Sequence, residues 1–197
     1  MAIDKNIVSQ KNIVLIVKLL LWSYLAYLLY FLASNYHPAS SSYRPPFLIF
    51  VIDTINLFIH EAGHFFFKIF GRYIYMLGGS LFQVLVPLAL LIVTWRQNVT
   101  QIAYSAFWVG ESMLNVSIYI QDAPFKRLRL ITPNLIHDWN WLLRDNLGSA
   151  ETIADIVYVI GIVVCFGAVI LGFIFAAVGW KNAPLKEPLS MTDSWED

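Results

Sequence analysis

Five apolar stretches, each long enough to cross a bilayer as a helix, leave this chain few folds to choose from. They run over residues 13–34, 47–70, 74–95, 101–120 and 152–180. A hydrocarbon core needs about 20 residues of helix to span it. Lipid offers no partner to an open backbone, so each stretch must satisfy its own N–H and C=O groups as a helix. The expected fold is therefore an all-α membrane protein, a bundle of about five transmembrane helices. Residues 1–180 form its polytopic domain and 181–197 a polar C-terminal tail. Composition agrees: 58% of residues are hydrophobic and 13% charged, against about 45–50% and 25% in soluble domains. The formal net charge of +0 gives no global field to draw in nucleic acid. A single cysteine, Cys165, excludes a disulfide framework within one chain.

Lys5 and Lys11 precede the first stretch, which is too long for a cleaved signal peptide and reads as an uncleaved anchor. A Pro- and Ser-rich loop follows over 37–46, and Gly71-Arg72-Tyr73 makes a tight hairpin. Gly78-Gly79 and Pro87 interrupt the third helix. Five alternating spans with the N-terminus in the cytosol put nine basic residues inside and four outside, so a cell-membrane protein with its C-terminus outside is expected. The longest connector, 121–151, carries four basic residues and the cluster His137-Asp138-Trp139-Asn140-Trp141. Its tryptophans suit a membrane interface.

The sharpest motif is His60-Glu61-Ala62-Gly63-His64, inside the second stretch. Residues four apart share a helix face, so both imidazoles can reach one metal ion. Glu61 beside them can take a proton from water at that metal. With four His and five Glu in the chain, about 0.002 chance matches are expected. Ionisable groups in hydrocarbon cost several kcal/mol each, and three in five residues ask for a functional reason. Zinc is the ion that such a site takes. Asp53 lies two turns earlier on the same face, about 10 Å away, and reads as a polar residue near the bundle interior. Gln83 is a candidate donor in the cavity. Gly78-Gly79-Ser80 allows either a substrate strand or a neighbouring helix to come close.

The fourth stretch carries Glu111, Asn115 and Asp122, spaced by four and seven residues and so on one face. Either carboxylate would complete a site of two histidines and one carboxylate. His137 or Asp138 folding back from the connector is a further candidate. The zinc hydrolysis read from these residues suits a peptide, a lipid or a small amide. A non-catalytic metal-binding scaffold is the remaining alternative.

This pairing resembles the site-2 protease family of intramembrane zinc metallopeptidases. There the motif helix is followed, two helices on, by a segment with an Asn and then an Asp. Asn115-Val116-Ser117-Ile118-Tyr119-Ile120-Gln121-Asp122 matches in order and approximately in spacing. The family's intervening prolines and its Gly after the Asp are missing, and Ala123 follows Asp122. The resemblance covers about residues 47–123. It implies that His60, His64 and Asp122 bind Zn2+. It also implies that Glu61 acts as general base, that Asn115 assists at the substrate or oxyanion, and that the substrate is a transmembrane segment of another protein in the lipid bilayer.

Overall fold

A computed structural model of the protein describes residues 5–97, 99–128 and 135–183. The described part is all helix and turn. It comprises α1 (Lys5–Asn35), α2 (Phe47–Phe67), α3 (Arg72–Gln97), α4 (Ile102–Gln121), α5 (Asp138–Leu142) and α6 (Ser149–Asn182), with 3-10 turns at Lys68–Phe70 and Val99–Gln101. Most of the polar tail lies outside the described residues. Pro46 stands at the start of α2, where a missing N–H costs nothing. Gly71 closes the α2–α3 reversal at φ 86, a conformation that a side chain would resist.

Four helices, α1, α2 (with its 3-10 extension), α3 and α6, are long and apolar enough to cross a membrane. Five were expected. The fourth stretch is helical over almost the expected range, but Ser105, Glu111, Ser112, Asn115 and Ser117 dilute its hydropathy. Those residues explain its position. α4 is the buried centre of the bundle, where polar side chains find partners instead of lipid. Glu111 and Asn56 are fully buried, while Phe47 (79% exposed), Phe58 and Val163 face outward. Polar inside and apolar outside is the arrangement that a bilayer selects.

Small residues let the helices close. Gly110 on α4 meets Gly161 and Cys165 on α6, Gly172 on α6 lies against the Trp22 ring of α1, and Gly63 on α2 lies against the backbone of Gly78 on α3. α3 therefore runs without a break through Gly78-Gly79 and Pro87, contrary to the expected interruption. The glycines serve close approach, and the buried ring of Pro87 costs one backbone bond without ending the helix.

The expected alternation of spans also fails. Trp180 Nε1 donates to Asn12 Oδ1 (3.0 Å), and Tyr158 OH donates to the Ala33 carbonyl (3.2 Å), so α1 and α6 are antiparallel. The described ends of the chain thus lie on one side, not on opposite faces. α2 pairs antiparallel with α3 through His60–Gly79 and Phe67–Gly78. α3 pairs antiparallel with α4 through Thr94–Ser105 and Gln83–Asn115. α1, α2 and α4 therefore share a general direction. The connector after α1 turns into the bundle instead of passing to the next span: Tyr36 OH donates to Asp53 Oδ1 at 2.6 Å. Lys11, Lys18, Arg96 and Lys181 now stand at one end, and Lys68, Arg72, Lys126, Arg127 and Arg144 at the other. With Arg44 in the α1–α2 connector besides, so even a split of the described basic residues sets no orientation.

Candidate metal centre

His60 and His64 lie one turn apart on the inward face of α2, with ring centroids 4.9 Å apart. A carbonyl only accepts, so His64 Nδ1–H is the donor to the Tyr75 carbonyl at 2.7 Å. In the neutral ring, Nε2 then carries the lone pair. That atom is 3.3 Å from His60 Nε2 and 3.1 Å from Asp138 Oδ2, and His60 Nε2 is 2.9 Å from the same oxygen. These three residues form a group that could hold a metal ion. The donor set fits zinc: tetrahedral bonds of about 2.1 Å separate ligand atoms by about 3.4 Å. Two ring nitrogens and a carboxylate oxygen converging in a mostly buried site need either a shared proton or a metal cation between them.

Asp138 reaches this point through the fold of the connector. The Asp122 carboxylate accepts hydrogen bonds from the backbone N–H of Arg127 and Leu128, both 2.9 Å, and so closes the turn that sends the chain back. His137 Nδ1 then caps α5 by accepting from Asn140 N–H (3.2 Å). Trp139 Nε1 donates to Ser80 Oγ on α3 (2.9 Å), and Asn140 Nδ2 donates to the Ala123 carbonyl (2.8 Å). Tyr119 fixes Asp138 itself. Its hydroxyl accepts from Asp138 N–H (3.1 Å) and donates to Asp138 Oδ2 (3.3 Å), while its ring stands edge-on to His60. Burial alone would raise the Asp138 carboxyl, but the imidazoles of His60 and His64 against it outweigh that and hold the group below the usual carboxylate range. Burial lowers the His137 imidazole, against the opposing pull of Asp122. His137 Nε2 is 3.4 Å from Asp122 Oδ2 but is not aligned for a hydrogen bond.

The geometry differs from the expected site in its third member and groups the histidines with the alternative carboxylate. His60 and His64 are brought together with Asp138, and Asp122 is not in the group. Asp122 sits at the C-cap of α4, where two backbone donors take up its oxygens. Glu111 also stands apart, accepting from Asn56 Nδ2 at 2.8 Å. Asn115 reaches the cavity wall, but its amide is spent. Nδ2 donates to Tyr36 OH (2.7 Å) and Asp53 Oδ1 (2.9 Å), and Oδ1 accepts from Gln83 Nε2 (2.8 Å).

A cavity of about 470 Å³ opens over the group, lined by His60, Glu61, His64, Asp138, Asn115, Gln83 and Asp53, with Leu57, Met76 and Ile118 as apolar wall. Glu61 also borders a shallower depression shared with His64, Lys68 and Arg72. Among the described residues, no hydrogen bond ties down the Glu61 carboxylate. Gly79 makes the room for His60: a Cβ there would stand 2.5 Å from His60 Nε2.

Tyr119 and Tyr75 carry no motif that sequence spacing could expose, whereas Gly79 had one signal, its place in the Gly78-Gly79-Ser80 run. Asp138 had one signal, its place in the dense His-Asp-Trp-Asn-Trp cluster. Comparison with protein-family models, curated proteins and solved structures gave no match.

Proposed function

We propose that this chain is an intramembrane zinc metallopeptidase, hydrolysing peptide bonds in or beside membrane-spanning segments of a substrate protein. The observation that carries this reading is the convergence of His60, His64 and Asp138 in a cavity whose wall also holds Glu61, inside a bundle with an apolar exterior. The resemblance of His60-Glu61-Ala62-Gly63-His64 to the site-2 protease motif supports the choice of a peptide substrate.

Zinc, when held by His60, His64 and Asp138, would supply Lewis acidity and bring the pKa of water down to about 7. Glu61, one residue from His60 and free of competing bonds, takes the proton of the attacking water and returns it to the leaving amine. Tyr75 holds the His64 ring in the tautomer that presents Nε2, and Tyr119 orients Asp138 in the same way. With both Asn115 amide hydrogens engaged, the donor to the developing oxyanion is better supplied by Gln83, which keeps one amide hydrogen unspent on the cavity wall. The apolar wall and the position between helices exclude bulk water, so a substrate helix must unwind locally to offer its carbonyl.

The test is elemental analysis and a cleavage assay on detergent-purified protein, with a reconstituted fluorogenic transmembrane peptide. About one zinc per chain is expected, lost in His64→Ala and Asp138→Ala. Glu61→Gln should keep the zinc and lose cleavage. A folded parent that takes up no zinc would overturn the reading. Zinc with hydrolysis of lipid esters but not peptides would redirect it to another hydrolase, and zinc without hydrolysis to a metal-binding scaffold.

A further inference from the structure

Away from the metal centre, α2 and α4 bring two carboxyl groups together in the middle of the bundle. Asn115, one turn beyond Glu111 on α4, donates to Asp53, and Asn56, one turn beyond Asp53 on α2, donates to Glu111, so the two carboxyls stand side by side. A hydrogen bond between two carboxyl groups requires a proton on one of them. The surroundings say which. Asp53 Oδ1 accepts from Tyr36 OH (2.6 Å) and Asn115 Nδ2 (2.9 Å), as a carboxylate does. Glu111 is fully buried and has a single outside donor, Asn56 Nδ2 on Oε2. The orientation of that amide is fixed, because Asn56 Oδ1 accepts from Trp108 Nε1 (3.0 Å) and Ser112 Oγ (3.3 Å). Among the described residues, Glu111 Oε1 receives a hydrogen bond from no donor, although it is shut off from solvent.

We infer that Asp53 and Glu111 form a proton-binding pair, with the proton on Glu111 and shared by hydrogen bond with the Asp53 carboxylate. Two like charges side by side, one of them shut off from solvent, cannot both persist, and one proton held between them removes the conflict. No lysine, arginine or histidine is bonded to either carboxyl among the described residues. The titratable groups that face the pair are Tyr36 and Tyr43 from the α1–α2 connector and Cys165 from α6. Burial, and then the Asp53 charge, push the Tyr36 phenol up, so it stays a donor. A metal cation is a poor alternative occupant. It would need about six oxygen ligands, whereas Asn56, Asn115 and Tyr36 turn hydrogens toward the pair.

The pair has a consequence for the cavity. Asp53 holds Asn115, and Asn115 holds Gln83, so the shared proton anchors a polar wall that begins in the bundle core and ends beside Glu61. Asp53 and Glu111 act there as positioning residues. This inference stands whether or not the protein hydrolyses anything.

Infrared spectroscopy of the full chain in lipid tests it. At neutral pH the parent should show the carbonyl stretch of a neutral carboxylic acid, about one carboxyl per chain. Glu111→Gln replaces a neutral acid by a neutral donor of the same shape. It should abolish that band and leave the thermal midpoint unchanged. Asp53→Asn should keep the band but shift it, because Glu111 then loses an ionic acceptor. A parent without the band, or a band intact in Glu111→Gln, would overturn the inference. Should Glu111→Gln not fold, an unshifted band in Asp53→Asn would overturn it equally.

Discussion

Gly79→Ala puts the metal centre under the smallest available stress. The Cβ it adds would stand 2.5 Å from His60 Nε2 and 2.7 Å from Cδ2 and Cε1 of the same ring. Ordinary contact begins near 3.4 Å, so the imidazole, or the α2–α3 contact, must give by about 0.9 Å on that side. The helices have little slack to offer, because Gly63 already meets the Gly78 backbone one turn away. The ring therefore moves, and its Nε2 leaves the point shared with His64 Nε2 and Asp138 Oδ2. Disturbing the support of a ligand in this way costs about 10–100-fold in metal affinity, and overpacking costs about 1–3 kcal/mol of stability. The assay is a zinc competition titration in detergent, with cobalt substitution to report ligand geometry by its visible spectrum. Gly167→Ala is the control, since a Cβ at Gly167 meets nothing within 4 Å. Parent-like affinity and an unchanged cobalt spectrum in Gly79→Ala would refute the claim that this glycine makes room for a metal ligand.

Asp122 and Asp138 should separate cleanly. Asp138→Ala should abolish zinc uptake, whereas Asp122→Ala should keep it and lower stability by about 1–3 kcal/mol, because two backbone donors lose their acceptor. Equal zinc loss in both variants, with both well folded, would return Asp122 to the ligand set. Glu61→Gln should bind zinc as the parent does and hydrolyse about 10²–10⁴-fold more slowly; full activity in that variant would end the proposed role of Glu61. Tyr119→Phe removes the donor to Asp138 Oδ2 and the acceptor of Asp138 N–H. A zinc Kd about tenfold weaker is expected, and an unchanged Kd would mean that α5 places Asp138 without help.

What could be read in the sequence was what depends on neighbours along one helix. Apolar runs located the five long helices, and i,i+4 spacing located His60 and His64 with Glu61 between. The third member of the candidate group was a different problem. Asp138 lies 138 − 64 = 74 residues beyond His64, and its approach depends on the turn that Asp122 closes, on a Trp139–Ser80 bond and on Tyr119. None of these has a periodicity. Asp122 attracted attention by sharing a face with Glu111 and Asn115, and that face does point inward. Each residue on it serves a different purpose: Glu111 in a buried pair, Asn115 on the cavity wall, Asp122 at a cap. Gly78-Gly79 read as a helix break because glycine is costly in a helix; closeness to α2 is the benefit that offsets it. Charge counting failed for orientation because it assumes strict alternation, and the chain after α1 folds inward at Tyr36.

The place of Asp138 on a connector also orders events during synthesis. When α2 and α3 have left the ribosome, the nascent protein presents two imidazoles and no carboxylate to join them. The ligand set becomes complete only after α4 has followed, the chain has reversed at Asp122 and α5 has settled against α3. If the group binds metal as proposed, the half-made protein until then holds it weakly. On the proposed reading, it cannot cut the unfolded membrane segments, its own included, that surround it at the moment of insertion.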